Sequence, residues 1–198
     1  MMELLGRATS GNVQKVIFML EELKLPYERK DYGKQFNNTT TPEYAAMNPM
    51  KKVPTLVDGD TVVWQSNSIL RYLANKTRSA LYPADAAQRS QVDRWMDWSL
   101  AEYNPVYLAG FRDAKKAEAE RAADTATNLG NELELLEDQL AKTRWVAGDQ
   151  FSIADVALGP VVKRGVGFPL GLPAFPKISA WVAALQARPA FQKATATG

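Results

Sequence analysis

The stretch Lys51-Lys52-Val53-Pro54-Thr55-Leu56-Val57 decides the fold of this chain. It predicts a loop that leads into a buried strand, because a proline cannot donate to a sheet ladder but is tolerated at the first position of a strand. A cis Val53–Pro54 bond is expected, since X-Pro bonds adopt this form at tight turns. Such a turn leaves the backbone N–H and C=O of Val53 free to pair with something outside the sheet.

A hairpin and a helix follow this loop. Asp58-Gly59 is a hairpin signal, and Thr61–Trp64 is the predicted return strand. Ser66 stands where the next helix should begin, and we predict that it is the N-cap. A serine beside the unpaired N–H groups of a helix start is suited to bind a carboxylate. A strand-like backbone edge beside an anion-binding helix start suits a small peptide acid as ligand.

The overall composition is that of an ordinary globular protein. Its 198 residues are 46% hydrophobic and 23% charged, with 24 basic and 22 acidic residues for a net charge of +2. This balance argues against a nucleic-acid partner. The sequence has no apolar run long enough to span a membrane and no signal-peptide pattern at its start, so we expect a cytoplasmic protein with no membrane partner.

Cysteine and histidine are both missing from the sequence. Without cysteine there are no disulfides and no thiol chemistry on the protein itself. Without histidine there is no Ser-His-Asp triad, no histidine general base and no usual zinc site, and we expect no metal. Any chemistry must therefore use hydroxyls, amides, carboxylates, lysine, arginine or a group carried by a ligand.

Residues 1–77 read as a small α/β domain. Strands are predicted at Glu3–Leu5 and Tyr27–Tyr32, with an amphipathic helix over Asn12–Leu23 between them and Asn12 as its N-cap. A short helix is expected near Pro42–Ala45. With the hairpin and the helix after Ser66, the pattern becomes βαβββα.

The rest of the chain is predicted to be helical. Residues 78–86 read as a linker and residues 87–198 as an all-helical domain. Its predicted helices begin with a long one from Ala87, followed by one over 114–140 whose first half is a solvated face. Ser152 caps a third helix and Asp155 stands at the reciprocal position of a capping box. The last clear helix is predicted over Pro176–Ala187.

Three motifs at these separations resemble one protein family. They are Asn48-Pro49-x-x-Lys52-Val53-Pro54-x-Leu56, then Gln65-Ser66-x-x-Ile69-x-x-Tyr72-Leu73, and finally Ser152-Ile153-Ala154-Asp155. Together they are similar to the glutathione S-transferase pattern over nearly the whole chain. The resemblance implies a thioredoxin-like domain followed by an all-helical domain, a homodimer, and glutathione as co-substrate.

The resemblance also implies a group that activates the thiol of glutathione, which is a poor nucleophile until it ionises. Counted back from Leu25-Pro26-Tyr27, Ser10 falls where serine-type (theta- and zeta-like) transferases carry their activating hydroxyl. Thr9 and Asn12 are the alternative donors, and an ordinary loop or cap serine is the alternative role for Ser10. The bacterial beta-like members are similar in length but carry a cysteine in this region, which this chain lacks.

The glutathione-binding residues follow from the shape of the tripeptide. Its cysteinyl N–H and C=O would pair with the backbone of Val53, as in strand addition. The γ-glutamyl carboxylate would lie at Ser66, and Gln65 would hold the amine of the same group. Lys52 would reach the glycine carboxylate, with a solvated loop lysine as the alternative.

The resemblance implies that the first long helices of the helical domain line the pocket for the second substrate. Tyr103, Tyr107 and Phe111 recur every four residues and are its candidates, together with Thr9, although such a stripe is more often core packing. Trp95 and Trp98 are assigned to the core or the dimer interface.

We therefore expect an enzyme that activates glutathione for attack on a small hydrophobic electrophile, with dehalogenase, isomerase or peroxidase variants open. One alternative class is a non-catalytic module of the same fold that binds a protein. Another is a carrier of hydrophobic ligands, which would bind aromatic compounds without forming a thiolate.

Overall fold

The computed structural model describes residues 1–196. The chain folds into two compact units. One is Met1–Tyr82 together with residues 188–196, and the other is Pro83–Ala187. No helix among residues 1–196 is long and apolar enough to cross a membrane.

The first unit is built on one four-stranded sheet. Its strands are β1 (Met2–Leu5), β2 (Tyr27–Lys30), β3 (Thr55–Asp58) and β4 (Thr61–Trp64), in the order β2-β1-β3-β4. Strand β1 is parallel to β2, and β3 is antiparallel to both β1 and β4. The helices are α1 (Gly11–Glu22), α2 (Pro42–Met47) and α3 (Ser66–Lys76). This confirms the predicted thioredoxin-like βαβββα domain, with α2 as the short additional helix.

The core of this unit follows from the sequence periodicities. Leu4 of β1 and Leu56 of β3 are directly paired in the sheet and fully buried. Helix α1 buries Val13, Val16 and Leu20, which recur at helical spacing. The helix begins at Gly11 instead of the predicted Asn12, and its N-cap residue is Ser10 instead of Asn12.

The second unit is all-helical, which confirms the predicted fold class. Its helices are α4 (Ala86–Trp98), α5 (Asn104–Asp113), α6 (Thr125–Leu140), α7 (Ile153–Val166) and α8 (Pro176–Gln186). A π-helical turn, Ser99–Tyr103, joins α4 to α5. The capping box of Ser152 and Asp155 is present at the start of α7, as predicted.

The predicted helix over residues 114–124 is wrong. Those residues form a loop with a single 3₁₀ turn at Glu118–Glu120. The buried carboxylate of Asp113 closes this loop, since it accepts hydrogen bonds from Ala122 N at 3.0 Å and Thr125 Oγ1 at 2.6 Å. It also forms an ion pair with Lys116 at 2.6 Å.

One further helix, α9 (Pro189–Thr195), follows the last one that the sequence predicted. It lies within the range 87–198 assigned to the helical domain, but in the structure it packs on α1 of the first unit. The rings of Phe191 and Phe18 meet edge to face at 5.1 Å. Arg188 donates two hydrogen bonds to Glu22, at 2.6 and 2.7 Å, and Lys193 pairs with Glu21 at 2.7 Å.

Candidate active site

Three loops of the first unit meet at one edge of the sheet: the β1–α1 loop, the loop after β2, and the loop before β3. Gly6 N donates to Lys30 O at 2.8 Å, and Arg7 N donates to Tyr32 O at 3.1 Å, which joins the first two loops. A Cβ added at Gly6 would lie 2.5 Å from Val13 Cγ2 and 3.3 Å from Val53 Cβ. Only a glycine therefore lets the first loop approach both α1 and Val53 this closely.

Ser10 lies at the end of the β1–α1 loop, where α1 begins. Its backbone is extended (φ −81°, ψ 123°), and its carbonyl accepts from Gln14 N at 2.9 Å. Its side chain is buried, but it makes no capping hydrogen bond. The hydroxyl is therefore not used to satisfy the helix, and it lies at the positive end of the helix dipole.

The two alternative donors have different surroundings. Thr9 is exposed on the loop. Asn12 lies in the first turn of α1, and its Oδ1 accepts a hydrogen bond of 3.4 Å from Ser66 Oγ. This contact brings the start of α1 next to the start of α3.

Ser66 is the first residue of α3 rather than its N-cap, which corrects the prediction. The N-cap residue is Gln65, whose backbone has the unusual φ of 70° for a non-glycine residue. Ser66 is buried, and Gln65 is exposed beside it. Helix α3 therefore begins at Ser66, as predicted, but this serine is the first helical residue and Gln65 is the cap.

The loop before β3 carries Lys52, Val53 and the predicted cis Val53–Pro54 bond. The Lys52 carbonyl accepts hydrogen bonds from Tyr44 Oη and Asn48 Nδ2, each at 2.7 Å. Lys52 has an exposed side chain, whereas Val53 is half-buried. The backbone on the N-terminal side of Val53 is therefore held in place while the Lys52 side chain remains accessible.

Sequence reasoning missed the role of Tyr44 in this loop. Tyr44 is fully buried, and its hydroxyl also lies 2.9 Å from Thr55 Oγ1. Burial raises the pKa of Tyr44, so the phenol remains a neutral donor. The only local signal was the Thr41-Pro42 start of α2, in which Thr41 Oγ1 accepts from Tyr44 N at 3.3 Å.

The aromatic candidates lie in the second unit, where they form a stacked row. Ring centroids are 5.9 Å apart between Tyr103 and Tyr107 and 6.4 Å apart between Tyr107 and Phe111. Phe168, which no sequence pattern singled out, joins the row at 5.5 Å from Tyr107.

The burial of the aromatic side chains decreases along the row from Tyr103 to Phe111. Tyr103 is completely buried and donates to Val161 O at 3.3 Å. Phe111 is half-buried at the other end, where Lys115 Nζ lies 4.0 Å from its ring centroid. Burial raises the pKa of Tyr103 and of Tyr107, so both phenols are neutral over the physiological pH range.

Comparison with protein families matches both units. Residues 2–75 match the family described as "Glutathione S-transferase, N-terminal domain". Residues 86–189 match "Glutathione S-transferase, C-terminal domain". The two matches together cover most of the chain.

Individual proteins are similar over most of their lengths. Glutathione S-transferase GstB of Escherichia coli K12 is 35% identical over 201 residues, covering 98% of this chain and 97% of its own. The theta class glutathione S-transferase of Xanthomonas axonopodis pv. citri, solved with glutathione bound, superposes with a TM-score of 0.93 at 36% identity. That superposition covers 100% of this chain and 98% of the other. A glutathione transferase of Burkholderia graminis, with two glutathione molecules bound per subunit, has a TM-score of 0.88 at 30% identity and covers 99% of this chain and 88% of its own.

Proposed function

Because the chain belongs to the glutathione S-transferase family, we propose that Ser10 holds the thiolate of bound glutathione for attack on a small hydrophobic electrophile. The protein is a glutathione transferase, with glutathione as its co-substrate. The observation that carries the role of Ser10 is its buried hydroxyl, which lies at the start of α1 and makes no capping hydrogen bond.

The tripeptide is proposed to bind across the three loops of the first unit. Its cysteinyl N–H and C=O pair with the backbone of Val53, on a loop that Tyr44 and Asn48 hold through the Lys52 carbonyl. Its γ-glutamyl carboxylate accepts from the N–H of Ser66 at the start of α3, and from the Ser66 hydroxyl once that hydroxyl turns away from Asn12 Oδ1. Gln65 accepts from the amine of that group, and the exposed Lys52 side chain pairs with the glycine carboxylate.

The chemistry requires only that the bound thiol ionise. Its proton leaves to solvent, the Ser10 hydroxyl donates a hydrogen bond to the sulfur, and the dipole of α1 favours the negative charge. The thiolate then attacks the electrophilic carbon. A C–S bond forms, and a leaving group such as halide departs with the bonding electrons where the substrate carries one. Phe111, at the accessible end of the aromatic row, is proposed to contact the electrophile with Tyr107 behind it, while Tyr103 supports the row.

The test is a pH titration of thiolate absorbance for bound glutathione in wild type, Ser10→Ala, Thr9→Val and Asn12→Ala. The chain has no cysteine, so a thiolate signal belongs to the ligand once the protein's tyrosines are subtracted. We expect wild type to lower the pKa of the thiol below its free value. Ser10→Ala should raise it again by about 1 to 2 while keeping glutathione bound.

Ser68→Ala is the matched control, since Ser68 is an exposed serine of α3. A Ser10→Ala protein with an unchanged thiol pKa would contradict the role of Ser10. If Thr9→Val or Asn12→Ala instead loses the lowered thiol pKa, the replaced residue is the one that activates the thiol. If wild type does not bind glutathione, the proposed site is wrong.

We also propose that the protein is a homodimer. The second unit carries an open groove of about 740 Å³ between α4 and α6, lined by Trp95, Trp98, Arg94 and Leu135 among others. Leu135 is 49% exposed there, and burial of its side chain by a second copy would remove apolar surface from water. Leu135→Arg should therefore lower the dimer fraction in sedimentation experiments. Leu108→Arg, at a comparably exposed leucine of α5, is the control.

A further inference from the structure

Lys115 is a charged residue beside the aromatic row that the proposed mechanism does not use. Its Nζ lies 4.0 Å from the ring centroid of Phe111, the residue at the accessible end of the row. A cation over an aromatic face is attracted by the quadrupole of the ring, so this contact favours one position of the ammonium. The Lys115 side chain is exposed, so the ammonium remains accessible to a ligand.

The loop that carries Lys115 is fastened to the rest of the second unit. The buried carboxylate of Asp113 closes the loop through its hydrogen bonds to the far end. Arg121, in the same loop, donates to Pro169 O at 2.5 Å, and Pro169 directly follows Phe168 of the aromatic row. The loop is therefore joined to the segment that carries Phe168, and Lys115 lies on a held backbone.

The accessible end of the row is a shaped corner formed by two phenylalanine rings. The centroids of Phe111 and Phe168 are 6.2 Å apart, and their planes are inclined by 55°. A Cβ built at Gly110 would lie 3.2 Å from Phe168 Cδ2 and 3.1 Å from Leu129 Cδ2, so a side chain there would crowd both residues. The glycine therefore lets Phe168 pack against the row, with the Lys115 ammonium over the neighbouring ring.

Lys115 forms no ion pair with an aspartate or glutamate among residues 1–196. The adjacent Asp113 carboxylate is already paired with Lys116 at 2.6 Å. Glu118 and Glu120 lie on the exposed 3₁₀ turn of the same loop, where they lower the net charge of the loop but leave the ammonium itself unpaired. A cation held against an apolar corner is therefore available to an anionic group on a ligand.

We propose that Lys115 makes the enzyme select hydrophobic electrophiles that carry a carboxylate. The apolar part of such a substrate contacts Phe111 and Phe168, and its carboxylate pairs with the Lys115 ammonium. The inference rests on the proposed function, because Phe111 is where the electrophile is proposed to bind. Lys115 acts on substrate choice and leaves the chemistry unchanged: the thiolate of glutathione forms the C–S bond, and the leaving group departs with the bonding electrons.

The experiment compares a neutral chlorodinitrobenzene with the chlorodinitrobenzoate that has the same leaving chloride and one added carboxylate. The ratio of kcat/KM for the two compounds is measured in wild type, Lys115→Gln and Lys115→Arg. We expect Lys115→Gln to lower kcat/KM for the benzoate about threefold to fivefold, mainly through KM, because an exposed ion pair contributes an effect of this size. The value for the neutral compound should change less than about twofold. Lys115→Arg should keep the wild-type ratio, and about 1 M salt should remove most of the difference between wild type and Lys115→Gln, since the Debye length is then about 3 Å.

Lys177→Gln is the matched control, because it removes the same charge from an exposed lysine at the start of α8. Retained activity with the neutral compound shows that Lys115→Gln is folded. If it does not fold, Lys115→Arg and the salt dependence of wild type still test the charge. An unchanged ratio in Lys115→Gln, an equal loss with both compounds, or the same change in Lys177→Gln would overturn the inference and leave the proposed function intact. A wild type that reacts with neither compound would contradict the proposed function and this inference together.

Discussion

Lys15 is a fully buried lysine on α1, 2% exposed, and burial lowers its pKa to about 8. It shares a helical face with Phe18, which contacts Phe191 of α9, and with Glu22, which contacts Arg188 just before α9. A buried ammonium opposes folding, because the charged form has lost its hydration. The helical periodicity of α1 predicts an amphipathic helix, but it does not predict that a lysine lies within the buried face.

We predict that Lys15→Met stabilises the protein at pH 7, by at most about 3 kcal/mol. The folded-state pKa of about 8 lies below the unfolded value of 10.5. The full free-energy cost of burying the charged ammonium therefore applies below pH 8. It fades as pH rises from 8 towards 10.5, and the advantage of the variant should fade with it. Urea unfolding at pH 7 and pH 9.5 tests this, with the exposed Lys177→Met as control. A less stable Lys15→Met protein at pH 7 would show that the ammonium is favourably paired.

At the scale of elements, Asp155 joins three parts of the second unit. Its carboxylate accepts from Ser152 N at 2.9 Å at the start of α7 and from Val146 N at 3.0 Å in the preceding turn. It also accepts from Trp181 Nε1 of α8 at 2.9 Å. The sequence pattern predicted only the first of these contacts, because a capping box is local whereas Val146 and Trp181 are brought in by packing.

We predict that Asp155→Asn lowers the free energy of unfolding by about 2 kcal/mol or more, since an amide cannot accept at both oxygen positions and leaves buried donors unpaired. Equilibrium unfolding in urea measures the change. Asp149→Asn, at an exposed aspartate just before α7, should change the unfolding midpoint little. Equal effects of the two substitutions would contradict the assigned role of Asp155.

At the scale of the whole molecule, the chain returns to its first unit after completing the second. Phe191 of α9 is fully buried against Phe18 of α1, although the two residues lie near opposite ends of the sequence. The ion pairs of Arg188 with Glu22 and of Lys193 with Glu21 reinforce this contact. Helix α1 is therefore held by the end of the chain as well as by the sheet.

We predict that Phe191→Ala lowers the free energy of unfolding of the first unit by about 3 to 5 kcal/mol, because it removes a buried aromatic ring. Faster amide hydrogen exchange in α1 should accompany the loss. Phe36→Ala, at a phenylalanine that is 40% exposed, is the control and should have a small effect. Unchanged exchange in α1 would contradict the view that α9 supports this helix.

The sequence by itself determined the features that depend on neighbouring residues. The strands of the hairpin, the capping box at Ser152 and the cis Val53–Pro54 bond were predicted from short patterns and are present. The family resemblance rested on the same short patterns. The N-cap of α1 was misassigned because serine and asparagine are equally good caps, and only the backbone path distinguishes Ser10 from Asn12.

The tertiary structure decided what depends on groups distant in sequence. Tyr44 on the Lys52 carbonyl and the return of α9 to α1 have no pattern of their own, because each depends on where another element lies. The segment 114–124 has a helical composition but forms a loop, since hydrogen bonds to the buried Asp113 outweigh a helix propensity of a few tenths of a kcal/mol per residue. Local helix propensity contributes little free energy per residue. Packing and hydrogen bonds between residues distant in sequence therefore decide which structure a segment adopts.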